Sequence, residues 1–164
     1  MTTYIIFDGD KDKWAYAHMK GWDALPTVPF TFTNAHDLDN MTARAQGEEY
    51  VKRHLRARME KSTAVVVLIG ESTKNLFKFV RWELELAKDL GLPIIAVNLN
   101  GSRKQDDLCP PIIRDEPVVH VPFKLDPIKY ALTNWPNQFR KLTAEERKNG
   151  PYSYSAEHYR GWKE

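Results

Sequence analysis

Two continuous apolar runs constrain the fold of this chain more than any other feature. Thr63–Ile69 (TAVVVLI) and Pro93–Leu99 (PIIAVNL) are rich in β-branched residues, and the first ends at Gly70. Runs of this kind are typical of central strands in a parallel sheet, which are buried on both faces. Between them, Asn75–Leu90 has helical periodicity and is followed by Gly91, a favoured residue after a helix end. A buried strand, a helix and a second buried strand predict a parallel α/β sheet.

The same alternation continues on both sides of this unit. Further strands are predicted at Tyr4–Phe7, Phe30–Thr33 and Val118–Val121, and further helices from Trp14 to Leu25, from about Thr42 to Lys61, and from Asp126 to a break before Pro136. This order predicts a single three-layer, flavodoxin-like α/β domain with a five-stranded parallel sheet. We place the domain at residues 1–142. Residues 143–164 form an aromatic and polar tail without periodicity, which either packs on the domain or faces a partner.

Charge and cysteine content exclude several classes of protein. The chain has 24 Lys and Arg against 22 Asp and Glu, without a basic block, so no nucleic-acid partner is expected. The longest apolar run, Ala64–Gly70, is too short to cross a membrane, and the N-terminus lacks the features of a signal peptide. Cys109 is the only cysteine, which excludes an internal disulfide and a zinc site built on several thiolates. A cytoplasmic protein is expected.

Glu83 is the most informative single residue. At 100° per residue, it falls at the centre of the apolar face of its helix, among Leu76, Phe79, Val80, Ala87 and Leu90. A carboxylate there must be paired, be protonated or face a cavity, because burying it bare is costly. The position alone leaves two readings open: a structural acid, or a carboxylate that performs chemistry.

Other candidates follow the carboxyl ends of predicted strands, where open parallel sheets bind ligands. Asp8-Gly9-Asp10 is either a plain turn or a contact to a ribose, and it also suggests a phosphoacceptor receiver domain. That class needs an Asp after the third strand, where this chain has Gly70-Glu71, so we reject it. His36 and Asp37 lie in the polar loop after the second strand and are either solvated or near a substrate. The segment Gly70–Thr73 could offer amides to a phosphate but lacks the spaced glycines of a nucleotide loop. No spacing among the histidines indicates a metal site.

Three segments in the middle of the chain carry a family resemblance. They are Leu68–Thr73 (LIGEST), Phe79–Glu83 (FVRWE) and the strand that follows Gly91 (GLPIIAV). Together they resemble the TIR-like family of the bacterial Thoeris antiphage system. The resemblance covers about residues 4–135, and its middle third is the most specific. This chain has Asp8 after the first strand's Phe, where the family often has Ser, and Phe79 where the family usually has Trp.

The resemblance implies a chemistry. Enzymes of the wider TIR family cleave the nicotinamide–ribose bond of NAD with a Glu on this helix, four residues after an aromatic, which corresponds to Glu83. NAD is then a substrate, so no cofactor and no metal are expected. The residues expected to contact NAD are Phe7, Asp8, Gly9, Asp10, His36, Asp37 and Trp82. A fixed carboxylate would stabilise the positive charge that develops on the ribose ring, or bind its hydroxyls.

Three hypotheses follow. The first is an NAD+ hydrolase or ADP-ribosyl cyclase that produces a nucleotide signal in antiphage defence. Such an enzyme is expected to self-associate and to act through a downstream effector protein that senses its product. The second is a non-catalytic TIR-like interaction module in which Glu83 is structural. The third is another N-glycosidic-bond enzyme, such as a nucleoside deoxyribosyltransferase, although the Asp-Ser or Asp-Gly-Thr turn usual in that family is absent.

Overall fold

The two apolar runs form the central strands of the computed structural model, which describes residues 2–23, 31–33, 47–76 and 79–162. Within these ranges the chain forms six strands and five α-helices. The strands are β1 Thr2–Ile6, β2 Thr31–Thr33, β3 Ala64–Ile69, β4 Ile94–Asn98, β5 Val119–Pro122 and β6 Tyr152–Ser153. The helices are α1 Lys13–Asp23, α2 Glu48–Glu60, α3 Phe79–Asp89, α4 Leu125–Arg140 and α5 Ala156–Gly161.

The described strands form one parallel sheet in the order β2-β1-β3-β4-β5-β6. The predicted fold class and its five strands are confirmed, and the tail adds β6, which pairs Tyr152 with Val119 of β5. The chain leaves β1 toward β2 at one edge and returns to β3 on the other side of β1. The carboxyl ends of β1 and β3 therefore meet where the strand order reverses, the usual ligand crevice of such sheets.

Both faces of the sheet are covered, which explains the uninterrupted apolar runs. On one face, Ile5, Val66 and Ile95 pack with residues of α1 and α4. On the other face, Tyr4 and Val67 pack with residues of α2 and α3. Because side chains alternate along a strand, each strand supplies apolar residues to both layers.

The predicted break before Pro136 is wrong. Helix α4 continues to Arg140, and Pro136 lies inside it and is buried. A proline in a helix costs about 3 kcal/mol, since it removes a hydrogen bond and crowds the preceding turn. Its neighbours Trp135 and Phe139 are only 3% and 9% exposed, and burying such side chains stabilises by about 1.5–3 kcal/mol each. Packing therefore outweighs the local preference.

The tail lies against the outer part of α4. The rings of Tyr154, His158 and Trp162 lie 4.9, 5.1 and 5.2 Å from the ring of Tyr130 on α4. The tail residues thus extend the sheet through β6 and add an aromatic layer through α5. In the described ranges, no helix has both the length and the apolar character that a membrane span requires.

Candidate active site

Glu83 lies in the middle of α3 and is only 2% exposed. It shares the buried face of the helix with Val80, Leu84 and Ala87, as the helical projection predicts. The Tyr4 side chain of β1 interacts with its carboxyl group and favours its ionised form. The sequence places these two groups together because Tyr4 points from β1 into the layer that α3 covers.

Burial controls the ionisation of Glu83. Removal from water raises the pKa of the carboxyl group from 4.5 to about 8, although the hydrogen bond from Tyr4 opposes this effect. Most molecules therefore hold this carboxyl protonated at neutral pH. Within the described ranges no salt bridge reaches it. The site is thus a neutral acid held against a phenol, in contact with the apolar layer between β1 and α3.

Trp82, the next residue, occupies different surroundings. Its side chain is half-buried, and the Lys52 ammonium of α2 lies 4.3 Å from its ring centroid. The ring of Phe79, which is 48% exposed, meets it edge-on at 5.5 Å. Trp82 therefore lies beside α2, next to the buried carboxyl in sequence but on a neighbouring part of the helix surface.

A second polar group lies at the carboxyl ends of β1 and β3 and is centred on Asp8. One carboxylate oxygen accepts a hydrogen bond of 2.6 Å from the Ser72 hydroxyl, and the other accepts from the amides of Asp10 and Lys11 at 2.9 and 3.3 Å. Burial alone would raise the pKa of Asp8, but these hydrogen bonds hold it below its usual value. Asp8 is therefore an ionised carboxylate at the ligand crevice.

The sequence did not identify Asp12, which completes this group. Asp12 is 6% exposed, and the Thr73 hydroxyl lies 3.4 Å from its carboxylate. Burial, Asp8 and Glu71 raise the pKa of Asp12. Gly70 leaves room for this carboxylate: a Cβ at that position would lie 2.6 Å from one Asp12 oxygen and closer still to the other, so the Asp12 side chain would have to move. An Asp immediately before a helix start was the available signal.

The other predicted site residues are divided between the core and the surface. Phe7 is 3% exposed and stacks on Tyr16 of α1 at 4.9 Å, on the side of the sheet opposite Tyr4. Gly9 is half-exposed and Asp10 is exposed, on the turn that Asp8 organises. His36 and Asp37 lie outside the described residues.

The structure brings the predicted residues together in two groups that share β1. Glu83 joins Tyr4 near the middle of the strand, and the hydrogen-bond partners of Asp8 at its end do not include Glu83. Asp8 follows Tyr4 by four positions, which corresponds to about 13 Å along a strand. In the described part of the chain, no group of three His, Cys, Asp or Glu side chains could hold a metal ion. The arrangement offers a proton-holding carboxyl beneath the crevice and an ionised carboxylate at its mouth.

Comparison with known families gives a match over more than half of the chain. The family model described as the TIR-like domain of the Thoeris protein ThsB matches residues 4–104. The matched region runs from β1 through β4 and contains Asp8, Gly70 and Glu83.

Proposed function

Because the chain belongs to the family of TIR-like domains of the Thoeris protein ThsB, a family with a defence-related role, we propose that it cleaves the nicotinamide–ribose bond of NAD. The observation that carries the proposal is Glu83, a carboxyl group buried against Tyr4 of β1, the strand that ends at the crevice where the strand order reverses. The reaction is either hydrolysis or ADP-ribosyl cyclisation, and its product is a nucleotide signal.

The chemistry needs few groups. As the C–N bond breaks, its electron pair leaves with nicotinamide, which becomes neutral, and positive charge develops on the ribose ring. The positive charge of the bound nicotinamide ring would lower the pKa of Glu83, so that the carboxyl releases its proton to solvent before the bond breaks. The ionised group would then stabilise the developing charge strongly, because apolar neighbours such as Val80 and Leu84 leave little water to screen the interaction. In the hydrolase, water then attacks the ribose carbon and loses a proton to solvent, which gives ADP-ribose. In the cyclase, a hydroxyl of the same substrate attacks instead and likewise loses its proton to solvent.

The proposed substrate site occupies the carboxyl ends of β1 and β3. Asp8 would accept hydrogen bonds from ribose hydroxyls, with Gly9 and Asp10 supplying the turn beside it. Phe7 would support this turn from below, and His36, Asp37 and Trp82 are the remaining proposed contacts. Since Glu83 is sealed against Tyr4, NAD must part α3 from β1 to reach it.

The proposal extends to the protein's surroundings. The enzyme is cytoplasmic and works as a self-associated assembly, in which neighbouring copies help to open the site. A downstream effector protein senses the product.

The test is NAD turnover by the purified full chain, followed by chromatography of nicotinamide and the second product. Glu83→Gln keeps the size of the side chain and should lose at least about a hundredfold in rate, since it removes the charge that stabilises the transition state. Glu85→Gln is the matched control: it lies on the same helix with a 43% exposed side chain and should retain full activity. Equal rates for wild type and Glu83→Gln would refute the proposed role of Glu83, and no turnover at any protein concentration would refute the proposed reaction.

One observation favours a second candidate, a non-catalytic interaction module. A carboxyl that is 2% exposed and interacts with Tyr4 also suits a purely structural role. The same assay distinguishes the candidates, because a module leaves NAD intact while it self-associates or binds a partner. Release of a free base from nucleosides, with NAD untouched, would instead indicate the nucleoside N-glycosidic enzyme.

A further inference from the structure

The two carboxyl groups of the proposed NAD site are too far apart to bind the same ribose. Glu83 interacts with Tyr4, and Asp8 follows Tyr4 by four positions, which is about 13 Å along a strand. NAD contains two riboses joined by a pyrophosphate, so it can engage both groups along such a length. When the nicotinamide ribose meets Glu83 for cleavage, Asp8 is left to contact the ribose of the adenosine half.

The hydrogen bonds of Asp8 determine its charge and the acceptor position that it can offer. One carboxylate oxygen accepts from the Ser72 hydroxyl at 2.6 Å, and the other accepts from the amides of Asp10 and Lys11 at 2.9 and 3.3 Å. All three partners donate, and a carboxyl group that only accepts is in its ionised form. A carboxylate has about four acceptor positions, so one position remains on the oxygen that Ser72 contacts. A ribose hydroxyl is a donor that suits it.

The charges around Asp8 are mostly negative. Besides Asp8, the turns after β1 and β3 (residues 8–12 and 70–75) carry three acidic and two basic side chains: Asp10, Asp12, Glu71, Lys11 and Lys74. Lys74 is directed away from the crevice, since its Nζ donates to the Asp107 carbonyl at 3.1 Å. Neither turn contains an arginine. In dinucleotide sites, an acidic side chain binds the 2′-hydroxyl of NAD, whereas a nearby Arg accommodates the 2′-phosphate of NADP. The described turns match the first case.

We propose that Asp8 makes the site specific for NAD over NADP, by accepting a hydrogen bond from the 2′-hydroxyl of the adenosine ribose. This inference rests on the proposed NAD reaction and specifies its substrate. A 2′-phosphate would lose that hydrogen bond and would place further negative charge against a carboxylate that cannot turn away. Ser72 is a positioning residue, because its hydroxyl holds Asp8 in place from the end of β3.

The kinetic test compares kcat/KM for NAD and for NADP with the purified full chain. Wild type should favour NAD by at least about a hundredfold. Asp8→Asn keeps the size of the side chain and removes its charge, so this ratio should fall by at least about tenfold. Asp89→Asn is the matched control: it removes the same charge from the last residue of α3, near the opposite edge of the sheet, and should leave the ratio unchanged.

A binding test separates this inference from the proposed reaction. ADP-ribose and its 2′-phosphate derivative keep the adenosine ribose and lack the bond that is cleaved. Calorimetry should show that wild type prefers ADP-ribose by at least about tenfold, and that Asp8→Asn loses most of this preference. Such selectivity without NAD turnover would refute the reaction and support the specificity. Equal affinity of wild type for the two ligands, no binding of either at millimolar concentration, or a preference that survives Asp8→Asn would refute the specificity.

Ser72→Ala provides a second variant, which keeps the charge of Asp8 and removes one of its three donors. It should raise KM for NAD several-fold and leave kcat unchanged, because Asp8 contacts the half of NAD remote from the cleaved bond. Ser72→Thr should restore KM, since it restores the hydroxyl. Ser102→Ala is the matched control: the Ser102 hydroxyl also makes a hydrogen bond of 2.6 Å, but to the carbonyl of Lys104 after β4. Equal KM values for Ser72→Ala and Ser102→Ala would refute the positioning role of Ser72.

Discussion

Replacing Glu83 with Gln should stabilise the protein, and should do so more as the pH rises. In the folded protein, burial raises the pKa of Glu83 from 4.5 to about 8. Between these values the unfolded chain releases the proton while the folded protein retains it. The unfolded state therefore gains stability with pH, and the wild type loses free energy of unfolding. Gln carries no titrating proton and has nearly the shape of the protonated acid. The free energy of unfolding of the variant therefore does not fall with pH at this position.

The size of the effect follows from the two pKa values. Below pH 4.5 the acid is protonated in both states, and wild type and Glu83→Gln should differ little. From pH 4.5 to pH 8 the variant should gain about 1.4 kcal/mol for each pH unit. The total is at most about 5 kcal/mol, and water reaching the carboxyl would reduce it. Above pH 8 both states of the wild type are ionised, and the difference should stay constant.

Urea unfolding of both proteins at several pH values between 4.5 and 8.5 measures this difference directly. Effects of other titrating groups cancel, because the two proteins differ only at Glu83. Glu85→Gln, on the exposed side of the same helix, should stay within about 0.5 kcal/mol of wild type throughout. If the difference in free energy of unfolding between wild type and Glu83→Gln does not change with pH, Glu83 is not held as a buried neutral acid.

Three further outcomes test other parts of the structure. Tyr4→Phe removes the interaction that lowers the pKa of Glu83. In the same urea series, the free energy of unfolding of this variant should be about 1 kcal/mol lower than that of wild type, and it should continue to fall above pH 8. Gly70→Ala places a methyl group against the Asp12 carboxylate and should destabilise the folded protein by about 1–3 kcal/mol. Thermal unfolding measures this effect, and an unchanged melting temperature would contradict the described contact. The Cys109 side chain is fully buried, and burial raises the pKa of its thiol to about 12. An aromatic disulfide reagent should therefore label Cys109 in urea but not in the native protein. Rapid native labelling would contradict that burial.

The sequence predicted the parallel sheet because its signal is local and repeated. Thr63–Ile69 and Pro93–Leu99 each contain enough consecutive apolar residues to require burial on both faces, and the helix between them requires a crossover. The same local logic placed Glu83 on the buried face of α3, where it is 2% exposed. β6 was not predicted, because a strand of only two residues, Tyr152 and Ser153, is too short to show the alternation of apolar and polar residues that marks a strand.

Contacts between distant segments were not predictable in this way. Nothing around Tyr4 indicates that its hydroxyl meets a carboxyl 79 positions later. The place of Asp12 beside Thr73 likewise depends on how β1 and β3 align. At Pro136 the local signal was clear and misleading, since burial of Trp135 and Phe139 outweighed the helix-breaking preference. Tertiary packing decided each of these cases.

The energetics of Glu83 bear on whether its role is structural or chemical. A structural role needs only an acceptor for the Tyr4 hydroxyl, and the side-chain oxygen of Gln would provide one without the cost of a titrating group. The acid destabilises the fold by up to about 5 kcal/mol near pH 8, against a total stability of about 5–15 kcal/mol for a typical domain. Within the described ranges no cation offsets that cost. The proposed reaction would make use of such a carboxyl, because a positively charged ligand would offset the cost of ionising it. The cost of keeping an acid at this position supports the proposed chemical role of Glu83, and the NAD assay of Glu83→Gln tests it.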